Sequence, residues 1–316
     1  MDAIFTEIRL HGQQQQSING STQDQTFLPQ VLSPTVSSQI SFSETLQYIH
    51  EYKEPIIKKL VKSGAILFRH FPIQTAEDFN QFALSFNWKE LPYIGGAAVR
   101  TKVTGCVYTS NDSPPSQPIP FHHEGARVPR YPNYLFFFCE VPPTEGGETP
   151  LCYSPLMYDI MKEKCPKFVE RLEQQGVRYS RILPNGDDQT SAIGRGWQST
   201  YHTSNMEEAE ERCREFETEF EWLDDGCLRT TTKVLPAVKI DERTGKKIWW
   251  NTIIGAYYGS LDERNRERSK MVTYGDGNEI ELEYLETCKR IFEEIKVQHS
   301  RNTFVPPRRI LAALFQ

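Results

Sequence analysis

The sequence predicts one α+β domain, mainly β, in which short strands form the core and helices pack around them. Apolar strand-like runs alternate with amphipathic helical stretches along most of the 316 residues. No internal repeat and no clear linker divides the chain, and a chain of this length buries a sizeable core. We therefore expect a flexible lead-in at residues 1–26, followed by a single domain at residues 27–316.

The front third of the chain predicts a helix, a strand and a second helix. Residues 11–40 are polar and rich in Gln, Ser and Thr, which indicates a low-complexity lead-in. Apolar residues then recur at helical spacing from a plausible N-cap at Ser43 to a stop at Gly64. Residues 64–71 predict a short buried strand, and residues 75–86 predict an amphipathic helix that opens with a threonine cap.

The rest of the chain predicts strands and loops with helices between them. From Leu91 onward, short bursts of Gly, Pro, Thr and Val are typical of strands and turns. The predicted strands are 131–143, 177–183, 231–240, 246–254 and 308–315. The predicted helices are a pair within 156–176 that is split at Pro166, a charged helix at 206–222 and a helix at 279–297.

The composition favours a folded protein that binds a small molecule. With 36 basic and 42 acidic residues, the net charge of −6 argues against nucleic acid or an anionic membrane as the main partner. The seven cysteines are odd in number and form no CxxC pair, which indicates reduced thiols inside a cell. No apolar run reaches about 20 residues, and the N-terminus lacks a secretory pattern. We expect a cytoplasmic protein, and targeting to an organelle is the alternative.

The stretch FHHEGARVP carries the first candidate site. His122 and Glu124 are separated by one residue, so in an extended strand they face the same side and can reach one metal ion. His123 then faces the other way. A third ligand would come from another histidine of the chain. The candidates are His11, His50, His70, His202 and His299.

Two histidines and one carboxylate on one face of a metal are typical of non-haem iron(II) oxygenases, and a zinc hydrolase would accept the same ligands. An H-x-E tripeptide alone is a weak signal, because most such tripeptides are surface strand residues. Thr149, in GGET, and Arg308 with Arg309 strengthen the oxygenase interpretation. A keto acid with a second carboxylate needs a hydroxyl and a guanidinium at the far end of its pocket.

Together, several pieces of the chain resemble the taurine dioxygenase-like (TauD/TfdA) family of iron(II)/2-oxoglutarate-dependent oxygenases, and most closely its plant clavaminate synthase-like branch. The likeness runs from about Phe27 to Leu314. The pieces that carry it are FLPQVLSP (27–34), GAILFRHF (64–71), ELPYIGGAAVRT (90–101), TSNDSPPSQPIPFHHE (109–124), LFFFCEVPPTEGGETP (135–150), IGRGW (193–197) and HSRNTFVPPRRILAAL (299–314).

The resemblance implies a double-stranded β-helix (jelly roll) core with flanking helices, and an iron(II) site. His122 and Glu124 match the family's H-x-D/E iron ligands, with Glu in place of the commoner Asp, and His299 matches the distal ligand. The implied activity is oxidation of a small organic substrate by O₂, in which 2-oxoglutarate is converted to succinate and CO₂.

The resemblance also implies where 2-oxoglutarate binds. Thr149 matches the threonine that contacts its distal carboxylate, Arg308 matches the arginine that pairs with that carboxylate, and Arg309 is the neighbouring alternative. Ala312 stands where taurine-type enzymes carry an arginine for the substrate's anion, so a sulfonate substrate is not expected.

Residues for the organic substrate are harder to assign from the sequence. The candidates are Tyr93, Asn111 and Arg127. For Arg127, a surface arginine on a loop is the simpler interpretation.

The chain departs from the family pattern just before His299. A segment of the form GD-apolar-apolar-apolar-DN is absent, and His299 follows directly on the predicted helix at 279–297. We expect one core strand of the jelly roll to be missing. Three interpretations follow: an active oxygenase, a catalytically impaired member that acts as a binding protein or is a deletion product, and, least favoured, a zinc hydrolase. The sequence does not specify the oligomeric state.

Overall fold

The computed structural model describes residues 5–10, 15–18, 26–35, 40–93, 96, 98–110, 112, 119–142, 149–259, 261–297 and 309–316. The described helices are α1 (Phe42–Ser63), α2 (Ala76–Leu84), α3 (Ser154–Lys164), α4 (Pro166–Gln175), α5 (Trp197–Tyr201), α6 (Met206–Glu215), α7 (Ile253–Gly259), α8 (Arg268–Met271) and α9 (Leu282–Ile295). The described strands are β1 (Phe5–Ile8), β2 (Gln16–Ser17), β3 (Phe27–Leu28), β4 (Gln30–Pro34), β5 (Ile66–Phe68), β6 (Lys102–Thr104), β7 (Val107–Thr109), β8 (Tyr134–Val141), β9 (Val177–Leu183), β10 (Thr218–Trp222), β11 (Leu228–Thr232), β12 (Lys239–Ile240), β13 (Lys247–Ile248), β14 (Val272–Tyr274) and β15 (Arg309–Phe315).

Two four-stranded antiparallel sheets carry most of the fold. One has the strand order β6-β7-β15-β8, and the other has the order β10-β11-β9-β14. In the first sheet, the apolar strand β15 lies between β7 and β8, so Leu311 pairs with both Thr109 and Phe138. Its buried side chains pack against Phe79 and Ala83 of α2. This covered position explains why the last strand is a nearly continuous apolar run.

The largest core cluster lies between the second sheet and the helices α3, α4, α7 and α9. Phe168, Trp249 and Tyr274 are almost completely buried there, and the Phe168 ring contacts the rings of both other residues. Aromatic side chains of this size contribute much of the buried apolar area of a core. The cluster fixes α7 and α9, whose ends approach the site described below.

Most predicted elements are present, with their ends shifted. β9 occupies the predicted residues 177–183, β15 closes the chain, and the helical pair is split at Pro166 as expected. The helix predicted at 206–222 was wrong in its second half, which forms β10. The predicted cap Ser43 was also wrong, because Ser41 is the N-cap and forms a capping box with Glu44.

The strands predicted at 231–240 and 246–254 are much shorter in the structure. β11 ends at Thr232, and only the two-residue strands β12 and β13 follow it as a hairpin. The apolar residues after β13 belong to α7 instead. A short apolar run does not by itself distinguish a strand from a buried helix.

The N-terminal segment contributes more structure than its polar composition indicates. β1 pairs antiparallel with β4, and β4 pairs in parallel with β5. Phe5 is buried and contacts the rings of Tyr48 and Phe71. The predicted lead-in therefore contains a strand of the fold, and part of the stretch 11–40 is a buried strand. The division of the chain at residue 26 stays a prediction.

The IGRGW motif forms a tight turn that holds one wall of the site. A Cβ atom at Gly194 would lie 1.9 Å from the carbonyl oxygen of Asp188, so only glycine fits there. The turn brings Arg195 into the interior, where it is 6% exposed. Its guanidinium donates hydrogen bonds to the carbonyl oxygens of Tyr93 at 3.1 Å, Gly96 at 3.4 Å and Ser199 at 2.6 Å. The motif therefore fixes the backbone at Tyr93 and Gly96.

No helix in the described parts of the chain combines the length and the apolar character that crossing a membrane requires.

Replacement of Gly194 by alanine should destabilise the fold, because the new methyl group forces the backbone at Asp188 to move. We expect the free energy of unfolding to fall by about 2–4 kcal/mol. Gly277→Ala is the control, because its Cβ meets nothing within 4 Å and only its φ of 85° is unfavourable. Gly277→Ala should lower the free energy of unfolding by about 1 kcal/mol. Denaturant unfolding measures the stability of the two variants, and an equal loss of stability in both would contradict the steric explanation.

Candidate functional site

The FHHE segment lies between β7 and β8, outside any strand, so the predicted extended strand is absent. The side chains nevertheless separate as expected. The Nε2 atom of His122 lies 3.8 Å from the Oε2 atom of Glu124. The His123 ring turns to the other side, where its Nε2 atom lies 3.0 Å from the Ser154 hydroxyl and the ring contacts Trp250. His122 and Glu124 therefore face a common point, and His123 does not.

The separation of these two atoms suits a shared metal ion. Two ligand atoms that each lie about 2.1 Å from one ion can be at most about 4.2 Å apart. The Nδ1 atom of His122 lies 2.8 Å from the carbonyl oxygen of Pro120, which can only accept a hydrogen bond. Nδ1 therefore carries the proton in the neutral ring, and the Nε2 lone pair is directed to the side of Glu124.

Glu124 is held by a buried ion pair with Arg100. The Nη2 atom of Arg100 donates to the Oε1 atom of Glu124 at 3.1 Å, and the two side chains are 8% and 17% exposed. Burial alone would raise the pKa of Glu124, but Arg100 and His122 lower it to about 2. The carboxylate is therefore ionised at neutral pH, with one oxygen on Arg100 and the other beside His122.

The two histidines have opposite protonation tendencies. Partial desolvation would lower the pKa of His122, whose side chain is 39% exposed, but the neighbouring Glu124 outweighs this effect, so the pKa is raised. Burial, with the nearby charges of His122 and Lys239, lowers the pKa of His123 to about 4. His123 is neutral at physiological pH, as its packing between Ser154 and Trp250 requires.

A cavity of about 160 Å³ opens beside His122 and Glu124. Its polar wall includes Tyr93, Arg100 and Arg127. The helix α7 lies next to the segment, since a Cβ atom at Gly255 would be 3.5 Å from the Cβ atom of His122. The residue pair and the cavity together form a pocket in which a metal-bound ligand could be enclosed by protein.

Arg127 is not the surface arginine of the simpler interpretation. Its side chain is partly buried in the cavity wall, and its guanidinium lies 5.4 Å from the ring centre of Tyr179. Tyr93, the other described substrate candidate, is held between two cations. The guanidinium carbons of Arg100 and Arg195 lie 4.0 Å and 4.7 Å from its ring centre.

Several predicted site residues lie outside the described residues. These are His299, Arg308 and Asn111, together with the side chain of Arg309, whose backbone begins β15. Among the other candidate histidines, His70 contacts the Ser33 hydroxyl and His202 lies beside Arg195, both away from Glu124. Within the described part of the chain, no third His, Cys, Asp or Glu joins His122 and Glu124 in a metal-binding group.

The chain leaves α9 close to the FHHE segment. The Phe121 and Phe292 rings stack with their centres 5.0 Å apart, and the Cys152 thiol donates to the carbonyl oxygen of Phe292. Val297 and Leu151 exchange two backbone hydrogen bonds of 2.8 Å and 3.0 Å. The residue two positions before His299 therefore pairs with the residue two positions after Thr149.

Sequence reasoning missed two arginines of the site. Arg100 is 24 positions before Glu124, and nothing in the local pattern indicates their contact. Arg195 stands inside IGRGW, where two flanking glycines are a signal of a constrained turn around a fixed side chain. IGRGW is one of the stretches that resemble the family, but the direction of the Arg195 side chain can be seen only in the folded structure.

Comparisons with known proteins agree on one family. Residues 30–303 match the family model described as taurine catabolism dioxygenase TauD, TfdA family. A clavaminate synthase-like protein of Arabidopsis thaliana is 44% identical in an alignment 307 positions long, and the alignment covers 90% of this chain and 93% of the relative. The dapdiamide synthesis protein DdaC of Enterobacter agglomerans is 26% identical in an alignment 287 positions long, and the alignment covers 82% of this chain and 84% of the relative.

A solved structure also matches at low similarity. It is titled as a candidate alpha-ketoglutarate dependent 2,4-D dioxygenase from Burkholderia xenovorans, and it is 10% identical with a TM-score of 0.39, over 90% of this chain and 82% of that one. The family model and the Arabidopsis relative each span most of the chain. The chain therefore belongs to the TauD/TfdA family of dioxygenases, as the resemblance predicted.

Proposed function

We propose that this chain is an iron(II)- and 2-oxoglutarate-dependent dioxygenase that oxidises a small organic substrate by hydroxylation or desaturation and releases succinate and CO₂. The observation that carries the proposal is the His122–Glu124 pair, whose facing atoms lie 3.8 Å apart at the wall of a cavity. Membership in the TauD/TfdA family supports the same chemistry. A small-molecule substrate and a cytoplasmic location are parts of this proposal.

Iron(II) would be held by His122 and Glu124 from the described residues, and by His299 as the third ligand. When bound, iron together with 2-oxoglutarate and O₂ supplies the oxidising chemistry of this family. The donor set fits such an ion, because the ionised carboxylate faces the Nε2 atom of His122, and metal binding displaces any proton that this atom carries. His123, which is turned to Ser154, has no part in binding the metal.

The protein's own groups prepare this site before any ligand arrives. Glu124 stays ionised because Arg100 faces it, and Arg100 occupies one carboxylate oxygen so that the other remains available. The hydrogen bond to Pro120 fixes the tautomer of His122. Such outer partners orient metal ligands and are worth about 10–100-fold in metal affinity.

For 2-oxoglutarate, we assign Thr149 and Arg308 to the distal carboxylate, with Arg309 as the alternative. The pairing of Leu151 with Val297 supports this assignment, because it holds the chain after Thr149 against the chain before His299. The pairing of Arg309 with Val141 at the start of β15 supports it from the other side. Thr149 would donate its hydroxyl, and the arginine would form two parallel hydrogen bonds.

We extend the proposal to a jelly-roll core that lacks one strand before His299. α9 ends at Ile295, and Val297, two residues before His299, forms only an isolated bridge, with Leu151. The alignment with the Arabidopsis relative is 307 positions long, but it covers only 90% of the 316 residues of this chain. The relative therefore has residues in the alignment that have no counterpart in this chain.

The proposed loss of a strand before His299 favours a second candidate function. In this alternative, the chain is a family member with impaired catalysis that acts as a binding protein or is a deletion product. A strand that orients a ligand contributes to metal affinity, because the imidazole has to be placed within tenths of an ångström. A zinc hydrolase is the weakest alternative, since Thr149 and Arg308 would then have no role.

Anaerobic addition of iron(II) and 2-oxoglutarate should produce the visible charge-transfer band of the chelate, and admission of O₂ should then yield succinate. The band would report that the keto acid binds to iron held at this site, and succinate would report that the keto acid is oxidised by O₂ there. A folded protein without the band would favour the impaired member. Hydrolysis supported by zinc without 2-oxoglutarate would favour the hydrolase.

His122→Ala and Glu124→Ala should each weaken iron(II) binding by at least about a hundredfold, because loss of an outer partner alone costs about 10–100-fold. His123→Gln is the neighbouring control and should leave iron affinity within a few-fold, since Gln can still reach Ser154. Anaerobic competition with a chelating dye measures the three affinities. Equal losses in all three variants would refute the assignment of the ligands.

The chain should bind iron(II) at least about tenfold more weakly than the Arabidopsis relative, because the proposed loss of a strand before His299 would leave this ligand less well oriented. The same dye competition, run on both proteins under identical conditions, measures the difference. Equal affinity would mean that the shortened connection places the third ligand as well as a strand does.

A further inference from the structure

Positive charge dominates the polar wall of the cavity. Arg100 and Arg127 line it, and Arg181 and Arg195 lie behind them with hydrogen bonds of 3.3 Å and 3.4 Å to the carbonyl oxygen of Gly96. Among the described residues that line the cavity, Glu124 supplies the single carboxylate. Buried cations in such a group repel one another unless an anion lies among them.

Arg100 retains hydrogen-bond donors after it has paired with Glu124. Its Nη2 atom donates to Glu124, whereas its Nε and Nη1 atoms are buried and have no hydrogen-bond partner among the described residues. A buried donor without an acceptor is costly, and most such groups in folded proteins find a partner in protein, water or ligand. The Arg100 side chain is 8% exposed and lines the cavity, so a molecule bound in the cavity is in a position to accept from these two donors.

Arg127 brings a second guanidinium to the same wall. It interacts electrostatically with the phenol groups of Tyr179 and Tyr93. The Tyr179 hydroxyl accepts a hydrogen bond from the backbone of Thr252 at 3.0 Å, so its position is fixed. Burial, followed by the charge of Arg127, lowers the pKa of Arg181 to about 10.

We propose that Arg127 and the Nε–Nη1 edge of Arg100 form a carboxylate-binding subsite in this cavity, beside the His122–Glu124 pair. The subsite would orient a small organic acid by charge-assisted hydrogen bonds, for which guanidinium groups are well suited. As part of a catalytic site, it depends on the proposed function. The carboxylate belongs either to the organic substrate or to 2-oxoglutarate, and binding measurements distinguish the two.

The test uses the full-length, metal-free protein and isothermal calorimetry. The probes are butyrate, its neutral amide butyramide, and 2-oxoglutarate. The wild-type protein should bind butyrate at least about tenfold more tightly than butyramide, because only the acid offers a charged acceptor. Since no iron is present, this result is independent of whether the chain is an active dioxygenase, and absence of the iron chelate band would count against the proposed function alone.

Arg127→Gln should weaken carboxylate binding by at least about tenfold, and Arg127→Lys should weaken it less, because the charge is kept and the fork is lost. Arg243→Gln is the control, as it makes the same chemical change on an exposed turn between β12 and β13. Thermal unfolding of each variant shows that it is folded. If Arg127→Gln does not fold, the carboxylate affinity of the folded Arg127→Lys variant still tests the proposal.

The pattern of losses identifies the source of the carboxylate. Loss of butyrate binding with unchanged 2-oxoglutarate binding supports a subsite for the organic substrate. Loss of affinity for 2-oxoglutarate as well supports a subsite that the co-substrate uses. Equal binding of butyrate and butyramide by the wild-type protein, or unchanged affinities in the folded Arg127 variants, would overturn the proposal.

Discussion

The buried ion pair between Arg100 and Glu124 determines how the rest of the site can be arranged. A carboxylate removed from water needs a positive partner, and Arg100 meets that need at one oxygen only. The second oxygen therefore faces His122, whose tautomer is set by Pro120. Without Arg100, burial would favour the protonated acid, which is a poor metal ligand. The contact between Arg100 and Glu124 thus keeps the carboxylate ionised and directs its second oxygen to the side of His122.

The groups around this ion pair come from distant parts of the chain, and the fold brings them together. The Gly-Arg-Gly turn directs Arg195 to the backbone at Tyr93 and Gly96, which fixes one wall of the cavity. The stacked rings of Phe121 and Phe292 bring the end of α9 to the same place. Contacts of this kind fix the wall before a ligand arrives, which limits the entropy lost when a ligand is positioned.

The sequence predicted what depends on local pattern and missed what depends on distant partners. The strand at 177–183 follows from the pattern along the chain. His122 and Glu124 face a common point as expected, although the segment that carries them is not the strand from which this was predicted. In 206–222, alternating charges fit either a helix or a strand, and pairing of β10 with β11 decided for the strand in its second half. Arg100 could not be predicted, because its contact with Glu124 exists only in three dimensions.

X-ray absorption spectroscopy of the anaerobic iron(II) protein reports the atoms bound to the metal, and it therefore tests whether His122 and Glu124 hold the iron. We expect a first shell of nitrogen and oxygen atoms with imidazole scattering, which decreases in His122→Ala and is retained in His123→Gln. Sulfur from any of the seven cysteines in that shell, or imidazole scattering that does not change in His122→Ala, would contradict it.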